Sequence, residues 1–317
     1  MERGTAAILP ALLGLAMVVL IAIPAHAGGE VAAVKSRNLK IYSDVLTGFS
    51  IEARARVVEY DMAGDLKRGK TIFQRIRSRR PTLILAIGTE AATLAVREIT
   101  DIPVLFCMVP NPGKYDFTAA NVTGISLNLP VKTQLATLQT IAPRTRNVGV
   151  MYNPKYSHKL IEEAFQSCEQ LGMALIPSKV DRPEDVPRGT RAFLGRVDAL
   201  WMVADPTLMN SRAFRALVDF TRKNKVPLFS ISEKMVKAGA LVSLAADPSS
   251  IGRQAGGMAN KILRQRVSPE MIPVESPRGL EIAINLATAK GIGVECDIAL
   301  EVFTFAARNG YKISVYE

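Results

Sequence analysis

The sequence predicts an α/β protein made of two similar lobes. Two stretches carry that expectation, Pro81 to Pro110 (PTLILAIGTEAATLAVREITDIPVLFCMVP) and Val197 to Ser230 (VDALWMVADPTLMNSRAFRALVDFTRKNKVPLFS). Each opens with a short apolar run, Leu83–Ile87 and Ala199–Val203, and turns through a small polar loop, Gly88-Thr89-Glu90 and Asp205-Pro206-Thr207. A helical stretch follows, then a second apolar run containing a proline, Ile102–Phe106 and Val226–Phe229. Apolar runs bounded by turn signals and separated by helical patterns are βαβ units with buried parallel strands. Ligands collect at the loops beyond the carboxyl ends of such strands. Two matching units, about 115 residues apart, therefore predict two lobes with facing loops.

A chain of 317 residues is long enough for about two domains. Its 48% hydrophobic and 22% charged content supports two buried cores and argues against global disorder. Residues 1–27 differ from the rest: Ala6 to Ile23 is almost continuously apolar and ends in Pro24-Ala25-His26-Ala27. This small-x-small ending predicts a secretory signal peptide cleaved before Gly28, with an uncleaved anchor as the rival. No cysteine lies near the cleavage site to carry a lipid. Cys107, Cys168 and Cys296 are far apart and odd in number, which argues against a disulfide framework. The net charge of +11 belongs to the mature chain, since the leader holds one Arg and one Glu. Export makes nucleic acid an unsuitable partner. A solvated basic surface, or attraction to an acidic membrane partner or anionic ligand, remains.

In order, Val31–Val34 is a strand candidate, and Ile41, Val45, Leu46 and Phe49 have helical spacing. Ala55–Tyr60 is a second strand; Asp65–Arg80 is an amphipathic helix with Ile72, Phe73 and Ile76 on one face and basic residues on the other. After Asn121–Ser126 the chain is expected to cross between lobes near Leu127–Pro130. The second lobe opens with helix Val131–Ile141 and strand Asn147–Tyr152, then helix Lys159–Leu171 capped by Ser157, and strand Met173–Val180. Strand Gly239–Leu244 precedes helix Ile251–Leu263, capped by Ser249 or Asp247, whose small residues suit close packing on a sheet. Ile272–Val274 and Leu280–Ile284 are further strand candidates; the tail offers helix Ile298–Ala307 and strand Lys312–Tyr316. The resulting division is a leader (1–27), a first lobe (28–130 with a return segment at about 247–280) and a second lobe (131–246 with part of 281–317).

The ordered set of Tyr42…Gly48-Phe49, Ala86-Ile87-Gly88-Thr89-Glu90-Ala91-Ala92, Ile102–Phe106, Asn121–Ser126, Asn147–Val150 with Tyr152-Asn153-Pro154, Val197–Leu200 with Asp205, Gly239-Ala240, and Ile284-Asn285 with Ala289 resembles the ABC-transporter substrate-binding protein family that includes tryptophan- and tyrosine-type binders. The resemblance covers about residues 30 to 294. It implies a type I periplasmic-binding-protein fold, two Rossmann-like lobes joined by crossing strands with a ligand cleft between them. Two departures stand out: Pro110-Asn111-Pro112-Gly113 replaces an Asp-Pro-type pair, and the tail after about Glu295 does not match.

The cleft needs polar groups at strand ends. Gly88 and Thr89 precede a helix and can receive a carboxylate through backbone N–H groups and the Thr89 hydroxyl, or Thr89 is only a cap. Glu90 competes with an anionic ligand unless it faces solvent. Asp205 can hold an ammonium group, or cap a helix starting at Pro206. On the first reading Asp205→Ala abolishes binding and spares the fold. Asn111, Asn153 and Ser230 end other strands and touch ligand or only their own turns; Ser126 and Asn128 are hinge or site. Tyr42 fits core slightly better than ligand stacking, and Trp201 is core.

The expected function is a periplasmic binding protein, a monomer that holds a small molecule, an aromatic amino acid on the resemblance, and delivers it to an inner-membrane ABC permease. The alternative is a ligand sensor presenting to a membrane receptor. No cofactor is expected. Catalysis has no support: the mature chain has one histidine, His158, and lacks G-x-S-x-G, a P-loop and G-x-G-x-x-G after a strand.

Overall fold

The computed structural model describes residues 29–317; the expected leader and its cleavage site lie outside them. The first strand, β1 (Glu30–Lys35), leads through α1 (Lys40–Glu52), β2 (Arg56–Asp61), α2 (Leu66–Arg79), β3 (Leu83–Ile87) and α3 (Thr89–Glu98) to β4 (Val104–Val109) and β5 (Val122–Ser126). These strands form a parallel sheet in the order β2-β1-β3-β4-β5. The inner strands β1, β3 and β4 read as nearly continuous apolar runs because both of their faces are covered, whereas edge strand β2 is only partly buried. Val31, Ala33, Leu83, Leu85 and Leu105 face one core with Val45 and Phe49 of α1. Ala32, Val34, Ile84, Ala86 and Phe106 face another with Ile72, Phe73 and Ile76 of α2.

The chain continues through α4 (Val131–Ile141), β6 (Asn147–Tyr152), α5 (Pro154–Gln170), β7 (Ala174–Lys179), α6 (Val186–Gly189), β8 (Ala199–Trp201), α7 (Ser211–Asn224), β9 (Leu228–Ser230), α8 (Glu233–Lys237) and β10 (Val242–Ala246). After α9 (Pro248–Gln265) come β11 (Leu280–Asn285), α10 (Leu286–Ile292), α11 (Glu295–Asn309) and β12 (Lys312–Tyr316). The second sheet has the order β12-β11-β10-β9-β8-β6-β7, with β11 antiparallel to β10 and the other pairs parallel. Trp201 is buried in its core, as expected, and its indole N–H donates to Gln134 at 3.1 Å. Cys107 and Cys168 are buried free thiols, one in each lobe's core.

Three segments run between the sheets: the link from β5 to α4, the link from β10 to α9 through Asp247, and the return before β11. The first and third are tied together. Ser126 N–H donates to the Glu275 carbonyl at 2.9 Å, and Glu275 N–H donates to the Gly124 carbonyl at 3.0 Å. Helix α9 packs on the first sheet's side: Ile251, Ala255 and Met258 join the core of Val45 and Phe49. Its glycines suit a helix, not the sheet the sequence suggested. A Cβ on Gly252 would lie 2.0 Å from the Val45 carbonyl oxygen, and one on Gly48 would lie 2.1 Å from the Ser249 carbonyl oxygen.

Other local expectations shift. Asn153, not Ser157, caps α5, because Pro154 supplies a preset first helical residue; Ser157 lies inside the helix. Helix α7 starts at Ser211 behind an Asn210 cap, not at Pro206. Asp247 caps α9 by accepting from Ser250 N–H at 2.9 Å. Ile272–Val274 is not a strand; Pro273 removes a ladder donor, and the Ile272 carbonyl accepts from the buried Thr123 hydroxyl at 2.7 Å.

Gly252→Ala is expected to lower stability by about 1–3 kcal/mol, since backbone has to move to admit the methyl group. Gly257→Ala, in the same helix with nothing within 4 Å of its Cβ, is expected to be neutral or stabilising. Urea unfolding midpoints of the two variants test this, and equal midpoints would contradict it.

Candidate functional site

Every strand of the first sheet points its carboxyl end the same way, and so do β6 to β10 of the second. The crossing segments leave from the ends of β5 and β10, so both carboxyl edges adjoin them. Most sequence-selected residues lie on these edges.

In the first lobe Gly88 has φ 94°, a conformation that favours glycine, and ends β3 at the start of α3. A Cβ there would meet both the Ser36 and Tyr42 hydroxyl oxygens at 2.6 Å. Two strand ends, after β1 and β3, and the first turn of α1 thus converge on one point. The fully buried Ser36 hydroxyl accepts from Ala91 N–H at 2.9 Å and so caps α3. No hydrogen bond among the described residues uses the Thr89 hydroxyl. Glu90 does not stand alone: Arg37 Nη2 lies 2.8 Å from its Oε1, with side chains 58% and 32% exposed. Burial works to raise the Glu90 pKa, but its own backbone N–H, Arg37 and the Ser36 hydroxyl together hold it below the ordinary carboxylate value. Burial pushes the Tyr42 phenol up, with Glu90 and Cys107 adding to it and Arg37 opposing.

Asn111, Asn128 and Ser126 form one cluster. Asn111 has φ 49°, its N–H donates to Asn128 Oδ1 at 3.0 Å, and the Asn128 amide donates to Asn111 Oδ1. Asn128 N–H donates to the Ser126 hydroxyl at 3.0 Å. The cluster clasps the end of β4 to the first crossing segment.

In the second lobe the structure gives Asp205 a different task from the ammonium contact. It is 0% exposed and both carboxyl oxygens are occupied. Asn153 N–H donates to Oδ2 at 2.8 Å, the Ser157 hydroxyl to Oδ2 at 2.7 Å, and Thr207 N–H to Oδ1 at 2.9 Å. Asn153 is likewise engaged, donating to the Asp181 carbonyl at 2.8 Å and Thr207 Oγ1 at 3.0 Å, and accepting from Lys155 N–H at 3.0 Å. Together they bind the ends of β6 and β8 to the first turn of α5. Ser230, at the end of β9, donates to the Val242 carbonyl at 3.1 Å.

Sequence reasoning missed Ser36 and Arg37. Their signal was a polar Ser-Arg-Asn step directly after a buried apolar run. A hollow of about 680 Å³ on the outer side of the second lobe, lined in part by Arg212, Arg215, Phe220 and Lys223 of α7, does not involve these edges. Among the described residues no group of three His, Cys, Asp or Glu side chains could hold a metal ion.

Three comparisons with known proteins bear on the chain. The profile of the family described as ABC transporter substrate binding protein matches residues 44–307. A tyrosine-binding protein of Clostridioides difficile (strain R20291) is 25% identical over 239 residues, spanning 73% of this chain and 68% of that relative. Among solved structures, the ligand-free, open structure of a substrate-binding protein with adhesive properties from Clostridium difficile superposes with TM-score 0.75 at 21% identity, covering 91% of this chain and 100% of that one. An ABC domain from Streptococcus pneumonia in complex with L-Trp has TM-score 0.54 at 22% identity, covering 83% and 94%. The structural likenesses establish the fold as the two-lobed type I periplasmic-binding-protein arrangement.

Two outcomes follow from the geometry. Asp205→Ala strands three buried donors and is expected to destabilise the chain by about 3 kcal/mol or more, read as a lower urea midpoint. An unchanged midpoint would remove Asp205 from its structural role. Glu90 has a lowered folded pKa, so its stabilisation is present above the unfolded value and disappears as pH falls through the folded one. Thermal unfolding between pH 7 and 3 should therefore show a shallower acid loss for Glu90→Gln than for the parent.

Proposed function

The chain belongs to the ABC transporter substrate-binding protein family, and we propose that it captures an aromatic amino acid between its lobes and delivers it to an ABC permease. Family and fold are those of solute-binding proteins, which are not enzymes, and members of the family are extracellular or periplasmic. A tyrosine-binding relative and an L-Trp-bound structural neighbour support the ligand class. The expected leader, cleaved before Gly28, is part of this proposal, as is a periplasmic monomer whose lobes close on ligand.

The observation that carries the reading is the Arg37–Glu90 pair beside Gly88 and Thr89. A free amino acid is a zwitterion. It needs a cation and hydrogen-bond donors for its carboxylate and an anion for its ammonium. Arg37 with the start of α3 supplies the first, and Glu90 the second, from partly exposed side chains whose mutual attraction is screened by water. The charge of Glu90 is thus part of recognition instead of an obstacle to it. Tyr42, half-buried beside Gly88, lies where it can border the ring. Asn111, Asn128 and Ser126 shape the cleft floor at the crossing, and Ser230 borders it from the second lobe. Asp205 and Asn153 act through the loops they hold.

Calorimetric titration of the chain beginning at Gly28, stripped of carried-over ligand, with L-tyrosine, L-tryptophan and L-phenylalanine tests this. At least one should bind saturably, and at about a hundred times its Kd it should stabilise the protein by roughly 2.7 kcal/mol. Glu90→Gln and Arg37→Gln should each weaken binding about tenfold or more. Binding by none of the three discards the aromatic ligand. Binding unaffected by both substitutions moves the ligand's charged end away from Gly88.

A further inference from the structure

The net charge of +11 is not spread evenly. Residues 66–80, helix α2 and its cap, hold Lys67, Arg68, Lys70, Arg75, Arg77, Arg79 and Arg80 and not one Asp or Glu. All of these basic residues are exposed. Three have local partners: Arg77 donates to the Glu98 carbonyl, Arg79 to the Tyr60 hydroxyl at 3.2 Å, and Arg80 pairs with Asp101 at 2.7 Å. Lys67, Arg68, Lys70 and Arg75 have no ion-pair partner among the described residues. A helix that only needed solubility would mix both signs along its outer face. This one concentrates a single sign over its whole length.

The arrangement around the helix says what kind of anion fits. Gly69, Ile72, Phe73 and Ile76 are the buried face. At 3.6 residues per turn the opposite crest carries Thr71, Gln74 and Ser78, small or uncharged and exposed. Arg68, Arg75 and Arg79 flank the crest on one side, and Lys70 and Arg77 on the other, with Lys67 at its head. Two rows of long cationic stems thus border a neutral ridge with no concavity between them. A pocket-bound anion would need converging donors. A flat, laterally extended array of negative charge is matched by stems that splay to either side while the ridge rests on it. Leu66, 54% exposed at the first position of the helix, adds an apolar contact at one end of the stripe.

We propose that helix α2 is a membrane-contact face that holds this protein against the anionic phospholipid surface of a bilayer. The attraction is electrostatic and reversible, with headgroup phosphates as counter-charges. Helix α2 packs through Ile72, Phe73 and Ile76 over β1 and β3 beside α3. Its head follows Gly64, which adjoins Arg37, while the crest and the rest of the stripe face outward from the sheet, so a bilayer resting on the crest leaves the strand-end loops free. Adsorption confines the protein to a thin layer beside membrane partners without requiring a covalent anchor. The proposal does not depend on the identity of the ligand.

Sedimentation with lipid vesicles tests it. The chain beginning at Gly28 is used, because the apolar Ala6–Ile23 stretch would bind bilayers by itself. Vesicles containing about 30% phosphatidylglycerol in phosphatidylcholine should bind it at least tenfold more strongly than phosphatidylcholine alone, with the difference lost at about 0.5 M salt. The triple variant Lys67→Gln, Arg68→Gln, Arg75→Gln should lose most of that binding while keeping the parent's thermal unfolding and amino-acid affinity. The triple variant Arg212→Gln, Arg215→Gln, Lys223→Gln removes the same charge from the second lobe and should bind vesicles like the parent. Parent-like binding by the α2 variant, an equal loss in the second-lobe variant, or equal competition by soluble poly-glutamate would each overturn the proposal. The first denies the helix its role, the second makes net charge sufficient, and the third makes the anion a protein.

Discussion

The contact between α1 and α9 is the constraint on which the two-lobed arrangement rests. Helix α9 is reached from β10, in the second sheet, yet it is buried against α1 and the first sheet. Gly48 and Gly252 let the two backbones approach until a carbonyl oxygen occupies the space of an absent Cβ. Such contact is dense and apolar, and packed interiors do not deform gradually. The chain that crosses out of β10 is therefore clamped within one turn of its arrival, as is the return path through the Ser126–Glu275 hydrogen bonds.

The two lobes hold their strand-end loops by different physics. The first uses an exposed ion pair and a hydroxyl cap, Arg37 with Glu90 and Ser36 with Ala91 N–H. The second uses a buried carboxyl group whose acceptor sites are filled by backbone and hydroxyl donors. An exposed pair can exchange partners at little expense because water screens both states. A buried, saturated one cannot, because every alternative leaves a polar group unpaired. On the proposed reading, recognition charge belongs to the first lobe and rigidity to the second.

The fold was largely legible because its signals are local. Leu83–Ile87 and Ala199–Trp201 are apolar runs that only a doubly covered strand tolerates, and proline punctuates both units. Helix α2 was readable from its apolar spacing alone. The tail strand β12 was found, but its place beside β11 depends on partners no window contains. Ser157 was misread because cap and interior serines look alike in sequence; its buried partner, Asp205, lies 48 residues away. Asp205 carries both a ligand and a capping reading in sequence because a polar residue after a strand looks the same whether it faces a cleft or a backbone. Arg37 went unremarked since its meaning comes from Glu90, 53 residues later.

The cysteines acquire a use from their placement. Cys107 lies in the first lobe's core and Cys168 in the second's, both unpaired and buried. Burial raises both thiol pKa values, that of Cys168 to about 11, so neither reacts in place at neutral pH. Alkylation must wait for the surrounding lobe to open. With Cys296 replaced by serine, each lobe carries its own internal clock. The labelling rates of two single thiols then separate the opening of one lobe from that of the other, which a melting curve of the whole chain merges into one number.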